Sequence, residues 1–270
     1  MRKGIATAGA AALVALFLFP LAWMAAASLL PDERIAGTAV AEGAALSLAH
    51  YRALFGERGF GVPIRNSLVV AGATTLVALP VATLCAYALA RLRMRGKTVL
   101  LAVVLAVSMF PQIAVVAPLY LLLRELRLID TYPGLVLPYA TFATPLAIWL
   151  LTGFFRQLPR DLEEAAMIDG ATRLQALRDI VLPVAAPALA STAILTFLYC
   201  WNEFLFALSF TVSPERHTVP VSIALFRGRY QVPWGQILAA AVVATIPVAA
   251  VVMAFQRRIV AGLTAGSVKG

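Results

Sequence analysis

Two groups of polar residues stand out in this apolar chain, and their settings suggest different chemistry. The first is Trp201-Asn202-Glu203, with Gln112 next to Pro111, all inside long apolar stretches. A carboxylate at mid-membrane depth costs on the order of 2.5–3.5 kcal/mol on insertion scales, so it faces a cavity or a partner. With Tyr199, these side chains could stack on and hydrogen-bond a hydroxyl-bearing solute. Alternatively, Glu203 serves as a structural hydrogen bond between helices. Gln112 reads either as a gate at a proline break or as part of a kink satisfied by a neighbouring helix. The second group is acidic: Asp161, Glu163, Glu164 and Asp169, interleaved with the small residues Ala165, Ala166, Gly170 and Ala171 and with Met167.

Neither group is a catalytic constellation. Gly96-Lys97-Thr98 ends like a phosphate-binding loop, but that pattern needs glycine five residues before Gly96, and position 91 is Arg. His50, His217, Cys85 and Cys200 are too few and too scattered for a zinc or haem site, and both cysteines lie in apolar runs. No metalloprotease His-Glu pattern or nucleophile elbow occurs. The expectation is a non-enzyme that binds no metal or cofactor of its own.

The elements that must position these groups follow from composition. Of 270 residues, 61% are hydrophobic and 13% charged, against about 45–50% and 25% in soluble domains. That excludes a soluble globule and a disordered chain. Stretches of about 20 apolar residues, enough to cross a bilayer, predict six membrane helices over 5–30, 66–91, 98–123, 132–155, 184–211 and 235–256 in one all-α domain. The ten-residue alternation of a membrane β-barrel is missing. The first stretch follows Arg2 and Lys3 and holds Ala25-Ala26-Ala27, features shared with signal peptides, yet its apolar run exceeds the roughly 7–15 residues of such a segment. It reads as an uncleaved helix.

The net charge of +9 points to cytoplasmic loops and lipid headgroups rather than nucleic acid. With the N-terminus inside, thirteen Lys and Arg lie on the inner side and nine on the outer. The bias is sharpest in the turn from Arg91 to Lys97 and just after the last span. Both termini are therefore expected in the cytoplasm of a cell, or inner, membrane protein. Prolines at 80, 111, 118, 138, 145 and 247 mark expected bends. Ala239, Ala240, Ala241 and Ala244 give the last span small faces for close helix packing. External Arg227 and Arg229, beside Tyr230, could touch a soluble partner or simply be solvated.

Two loops are long. The external one, 32–65, could hold short helices around 48–55. The internal one, 156–183, is more informative. Pro159 suits a first helical turn, and Asp161, Glu163 and Glu164 complement the positive helix end. Asp169-Gly170 predicts a stop with a left-handed glycine. Thr172 and Gln175 form a capping box for a second helix running to about Val181, ended by Pro183. A hairpin of two such short helices is marginal alone in water. Either it merely links two spans, or a partner and the membrane face support it.

The spacing Glu164-Ala165-Ala166, Gly170, Ile180, Leu182-Pro183 resembles the EAA signature of ABC importer permeases at all seven positions. Arg65-Asn66-Ser67-Leu68, Met109-Phe110-Pro111, Trp201-Asn202-Glu203-Phe204 and the tail from Arg258 to Gly270 are similar to the carbohydrate-uptake branch of that family, in particular to its smaller maltose- and trehalose-type subunit. The resemblance implies a type I importer fold of six membrane helices with a cytoplasmic coupling helix. It implies that Glu164, Ala165, Ala166, Met167, Asp169, Gly170 and Ala171 dock in a cleft of a separate ATPase, with Glu164 paired to a basic residue there. The implied partners are a second, homologous permease, two ATPase subunits that hold ATP and magnesium, an extracytoplasmic sugar-binding protein and membrane lipid. Trp201, Asn202, Glu203 and Gln112 are then candidates for a sugar pathway. Alternative cargoes are another oligosaccharide, a polyol or a glycerol phosphate. A membrane enzyme or a channel is the remote alternative.

Overall fold

Lipid offers no hydrogen bonds to a backbone, so an apolar chain that enters it must satisfy its own amides within helices. The computed structural model describes residues 2–35, 46–226 and 232–264, and among these there are helices and turns and no strand. Arg227, Arg229, Tyr230 and the end of the chain from 265 lie outside the described residues. The helices are α1 (Arg2–Ala27), α2 (Asp32–Ile35), α3 (Ala49–Gly56), α4 (Gly61–Arg91), α5 (Lys97–Ser108), α6 (Gln112–Glu125) and α7 (Tyr132–Gln157). There follow α8 (Asp161–Ile168), α9 (Arg173–Ala176), α10 (Leu182–Val184), α11 (Ala186–Trp201), α12 (Leu205–Phe210), α13 (Val219–Ala224) and α14 (Trp234–Thr264).

Four helices are long and apolar enough to cross a membrane: Gly9–Ala27 in α1, α4, α7 and Trp234–Phe255 in α14. The count reaches six if each of two bent pairs is one span. The stretch expected as one helix over 98–123 is instead α5 and α6, bent by 84° at Met109–Pro111. Pro111 has no N–H to continue the ladder, and its ring disfavours helical backbone at Phe110. The other five prolines lie inside uninterrupted helices. The stretch expected over 184–211 is also divided. Its helix α11 ends at Trp201, and α12 starts anew at Leu205.

The chain falls into two compact units. One comprises Met1–Ile64 with Val219–Ala249. Within it, Asp32 Oδ1 accepts the Gly235 amide at 2.6 Å, and His50 Nε2 lies 2.9 Å from the Leu30 carbonyl. The Arg58 guanidinium stacks 4.5 Å over the Phe226 ring and donates to Gln236. Gly235 presses on the His50 ring so closely that any Cβ would collide with it.

The other unit comprises Arg65–Thr218 with Ala250–Gly270. In it α7 packs on α5 and α11. A buried apolar cluster joins Ala82, Ala86, Tyr87, Leu89 and Ala90 of α4 to Ala147, Ile148, Leu151 and Phe155 of α7. Leu177, Val181 and Ala185, from the far end of the loop after α7, complete that cluster. The loop is thus built into the core at one end.

Candidate functional site

The segment after α7 folds as the spacing predicts in three respects. Helix α8 carries Asp161, Glu163 and Glu164 in its first turn. Gly170 then takes a left-handed backbone, φ +89°, with open space around it. Thr172 accepts the Gln175 amide at 3.3 Å and Gln175 accepts the Thr172 amide at 2.7 Å, closing the capping box. The second helix differs from expectation. After α9 the backbone loosens into a π turn at Leu177–Val181, continues through Pro183 in α10, and bends by 80° into α11.

Exposure sorts the acidic residues. Adjacent positions on a helix point about 100° apart, so Glu163 and Glu164 have opposite fates. Glu164, Ala165, Asp169 and Gly170 are exposed, while Ala166, Met167 and Ala171 are half-buried. Ile168 and Leu174, which the residue pattern alone did not single out, are apolar and 86% and 67% exposed on the same hairpin. Glu163 is buried. Its Oε1 lies 2.6 Å from Arg91 Nε, and Tyr87 Oη donates to its Oε2 at 3.0 Å. Arg91 Nη2 also donates to the Leu158 carbonyl at 3.0 Å. Arg91, counted above among the charges of the turn from Arg91 to Lys97, is therefore a buried cation at the end of α4.

The second site is a cavity of about 580 Å³ lined by Gln112, Leu195, Leu198, Tyr199, Asn202, Glu203, Phe204 and Leu205. The break at Pro111 and the break after Trp201 bring its polar groups together. Gln112 Nε2 donates to Tyr199 Oη at 2.6 Å, and Asn202 Nδ2 donates to the Leu198 carbonyl at 2.7 Å. Glu203 accepts the amides of Phe206 and Ala207 at 2.9 and 3.1 Å. Its carboxylate thus caps the start of α12, a local bond within the chain rather than the bond between helices expected above. Trp201 is buried against Phe197 and does not line the cavity. The lining contains no Lys or Arg, so it suits a neutral, hydroxyl-bearing solute better than an anion. Among the described residues no group of three or more His, Cys, Asp or Glu is placed to hold a metal.

In the same unit, Asp130 pins the segment after α12. It accepts the amides of Val212 and Ser213 at 2.8 and 3.0 Å and the Ser213 hydroxyl at 2.6 Å. Partial burial pushes the Asp130 carboxyl up, but these bonds and the Arg216 charge outweigh it and hold the group below the ordinary carboxylate range. Asn66 extends the clamp by donating to the carbonyls of Glu215 and His217, while Tyr132 Oη donates to its Oδ1. This network was not visible in the residue pattern, because its members lie far apart in the chain.

Residues 78–265 match the family described as binding-protein-dependent transport system inner membrane component. The chain is 42% identical to the trehalose/maltose transport system permease protein MalG of Thermococcus litoralis, over 97% of this chain and 95% of that one. It is 44% identical to the trehalose transport system permease protein SugB of Mycobacterium tuberculosis, over 94% and 93%. Its fold is similar to a chain in the crystal structure of a bacterial ABC transporter involved in import of the acidic polysaccharide alginate. There the TM-score is 0.75 at 23% identity, covering 95% of this chain and 96% of that one.

Proposed function

This chain belongs to the family of binding-protein-dependent transport system inner membrane components, and we propose that it is the smaller permease subunit of an ATP-driven importer of a neutral disaccharide of the trehalose or maltose kind. The observation that carries the reading is the α8 hairpin. It presents Glu164, Ile168 and Leu174 outward beside a left-handed Gly170, while its other end is built into the core. A helix moves a membrane domain only if one face is free to be gripped and the other end is anchored, and this hairpin meets both conditions.

In this reading Glu164, Ala165, Ala166, Met167, Asp169, Gly170 and Ala171 dock on a cytoplasmic ATPase. ATP and magnesium are held there, and this chain carries no catalytic group or cofactor. A second, homologous permease completes the pathway, two ATPase subunits drive it, and an extracytoplasmic binding protein delivers the sugar. Both termini are cytoplasmic. Closure of the ATPases draws the two coupling hairpins together, and alternating access follows as rigid-body movement. The names of the relatives at 42% and 44% identity support trehalose or maltose as cargo. The cavity at Gln112, Asn202 and Glu203, free of basic residues, supports a neutral sugar over a glycerol phosphate.

The test is Glu164→Lys, with membrane insertion followed beside uptake of labelled trehalose and maltose. The expected result is normal insertion, loss of the co-purifying ATPase and loss of uptake. Normal uptake by this variant would remove the docking role. Uptake of neither disaccharide by the unaltered protein, with uptake of a phosphoester instead, would replace the cargo.

A further inference from the structure

We propose that Arg91 and Glu163 form a positioning strut that ties the coupling hairpin to α4, so that movement of α8 is delivered to that helix; this rests on the hairpin being the docking element. The two side chains come from helix ends that face each other. Arg91 stands in the last turn of α4, where a cation complements the carbonyl end, and Glu163 in the first turn of α8, where an anion complements the amide end. Their side chains are 4% and 6% exposed, and the ion pair is 2.6 Å. Tyr87, one turn back along α4, donates to the second carboxylate oxygen. Arg91 reaches on to the carbonyl of Leu158, which is the residue that leaves α7. Two hydrogen bonds and a close ion pair therefore hold the start of α8 to the end of α4, and the end of α4 to the end of α7.

The far end of the hairpin is attached differently. Leu177 and Val181 sit in the apolar cluster with Ala86, Tyr87 and Ala90 of α4. Apolar contacts resist separation but permit sliding, whereas the hydrogen bonds from Tyr87 to the Glu163 carboxylate and from Arg91 to the Leu158 carbonyl fix direction, and the ion pair adds attraction between the two ends. Between these attachments lies the exposed stretch with Glu164 and the bend at Gly170. A pull on the exposed stretch reaches α4 through the strut without first deforming the bend. Glu163 is thus a positioning residue, and its neighbour Glu164 the docking residue.

The test uses the assembled complex with its ATPase, in proteoliposomes. Glu163→Gln keeps the shape and the Tyr87 hydrogen bond and removes the charge. Arg91→Met with Glu163→Leu removes both charges, leaving neither unpaired in the interior. The readouts are ATPase co-purification, ATP hydrolysis and sugar moved per ATP hydrolysed. We expect both forms to retain the ATPase and hydrolyse ATP within about twofold of the unaltered complex, while sugar moved per ATP falls at least fivefold. Undiminished transport per ATP in either form overturns the strut. So does loss of the complex in both forms, which would make the pair a folding contact only. Absence of an ATPase from the unaltered complex would instead overturn the docking reading on which the strut rests.

Discussion

At the scale of single residues, the two adjacent carboxylates of α8 cannot be told apart in the sequence. Glu163 and Glu164 are adjacent and chemically the same, and only burial against Arg91 and Tyr87 separates them. Gly170, by contrast, is legible, because a helix that stops at Asp-Gly asks for a left-handed residue. Two glycines therefore make a paired prediction. At Gly170 a Cβ meets open space, so Gly170→Ala incurs only the left-handed backbone cost, about 1–2 kcal/mol. We expect that variant to insert and melt nearly as the parent does, with uptake reduced several-fold. At Gly134 a Cβ would strike the Leu128 carbonyl, a backbone atom that cannot swing away. Gly134→Ala should lower the melting temperature in detergent more than Gly170→Ala does; the reverse order would contradict the geometry.

Asp130 supplies a pH prediction at the same scale. Its folded carboxyl titrates below the ordinary value, so its contribution is fully present above the unfolded pKa, about 3.9. That contribution is lost as pH falls through the depressed folded value. The melting temperature of the parent should fall between pH 5 and pH 3. Asp130→Asn should melt lower than the parent at pH 7 and show a smaller fall across that range. An equal fall in both proteins would remove Asp130 from the clamp on Val212 and Ser213.

At the scale of elements, the long uninterrupted spans were legible and the broken ones were not. Helix α7 runs over Tyr132–Gln157, close to the stretch read from apolar length alone. Apolar length, however, carries no information on direction: the bend at Met109–Pro111 was legible only as one of six proline bends, the other five of which do not break a helix, and the stop at Trp201 was missed. The first needs Pro111 to act as a break while Pro80, Pro118, Pro138, Pro145 and Pro247 do not. The second needs Glu203 to cap α12. The π turn at Leu177–Val181 has no sequence signal we can name. The bend at Pro111 can be tested, because it delivers Gln112 to Tyr199. Pro111→Ala restores an N–H and lets α5 and α6 approach one continuous helix. A spin-label distance between positions 100 and 121 should lengthen, and sugar uptake should fall several-fold. An unchanged distance would mean that packing, and not Pro111, sets the bend.

At the scale of the whole molecule, charge and apolarity jointly determine how the chain lies in the membrane. Leu13, Leu16, Phe17, Phe19 and Trp23 of α1, Leu76 of α4 and Val99 of α5 are 58–76% exposed. Leaving this much apolar surface in water would cost about 25 cal/mol per Å², which fits helices of an inner-membrane component whose outer faces meet lipid. The side on which each loop lies depends on a modest imbalance, thirteen basic residues against nine. That imbalance gains weight from position, because short loops near span ends decide orientation. Lys97, after the α4–α5 turn, should then face the cytoplasm, and Arg216, in the segment held by Asp130, the outside. With Cys85 and Cys200 replaced by Ser, a single cysteine at 97 should react with a membrane-impermeant maleimide only after the cells are opened. A single cysteine at 216 should react in intact spheroplasts. Reaction of position 97 from outside would place the α8 hairpin on the wrong face of the bilayer. No cytoplasmic ATPase could then grip Glu164, and the coupling role would fail together with the orientation.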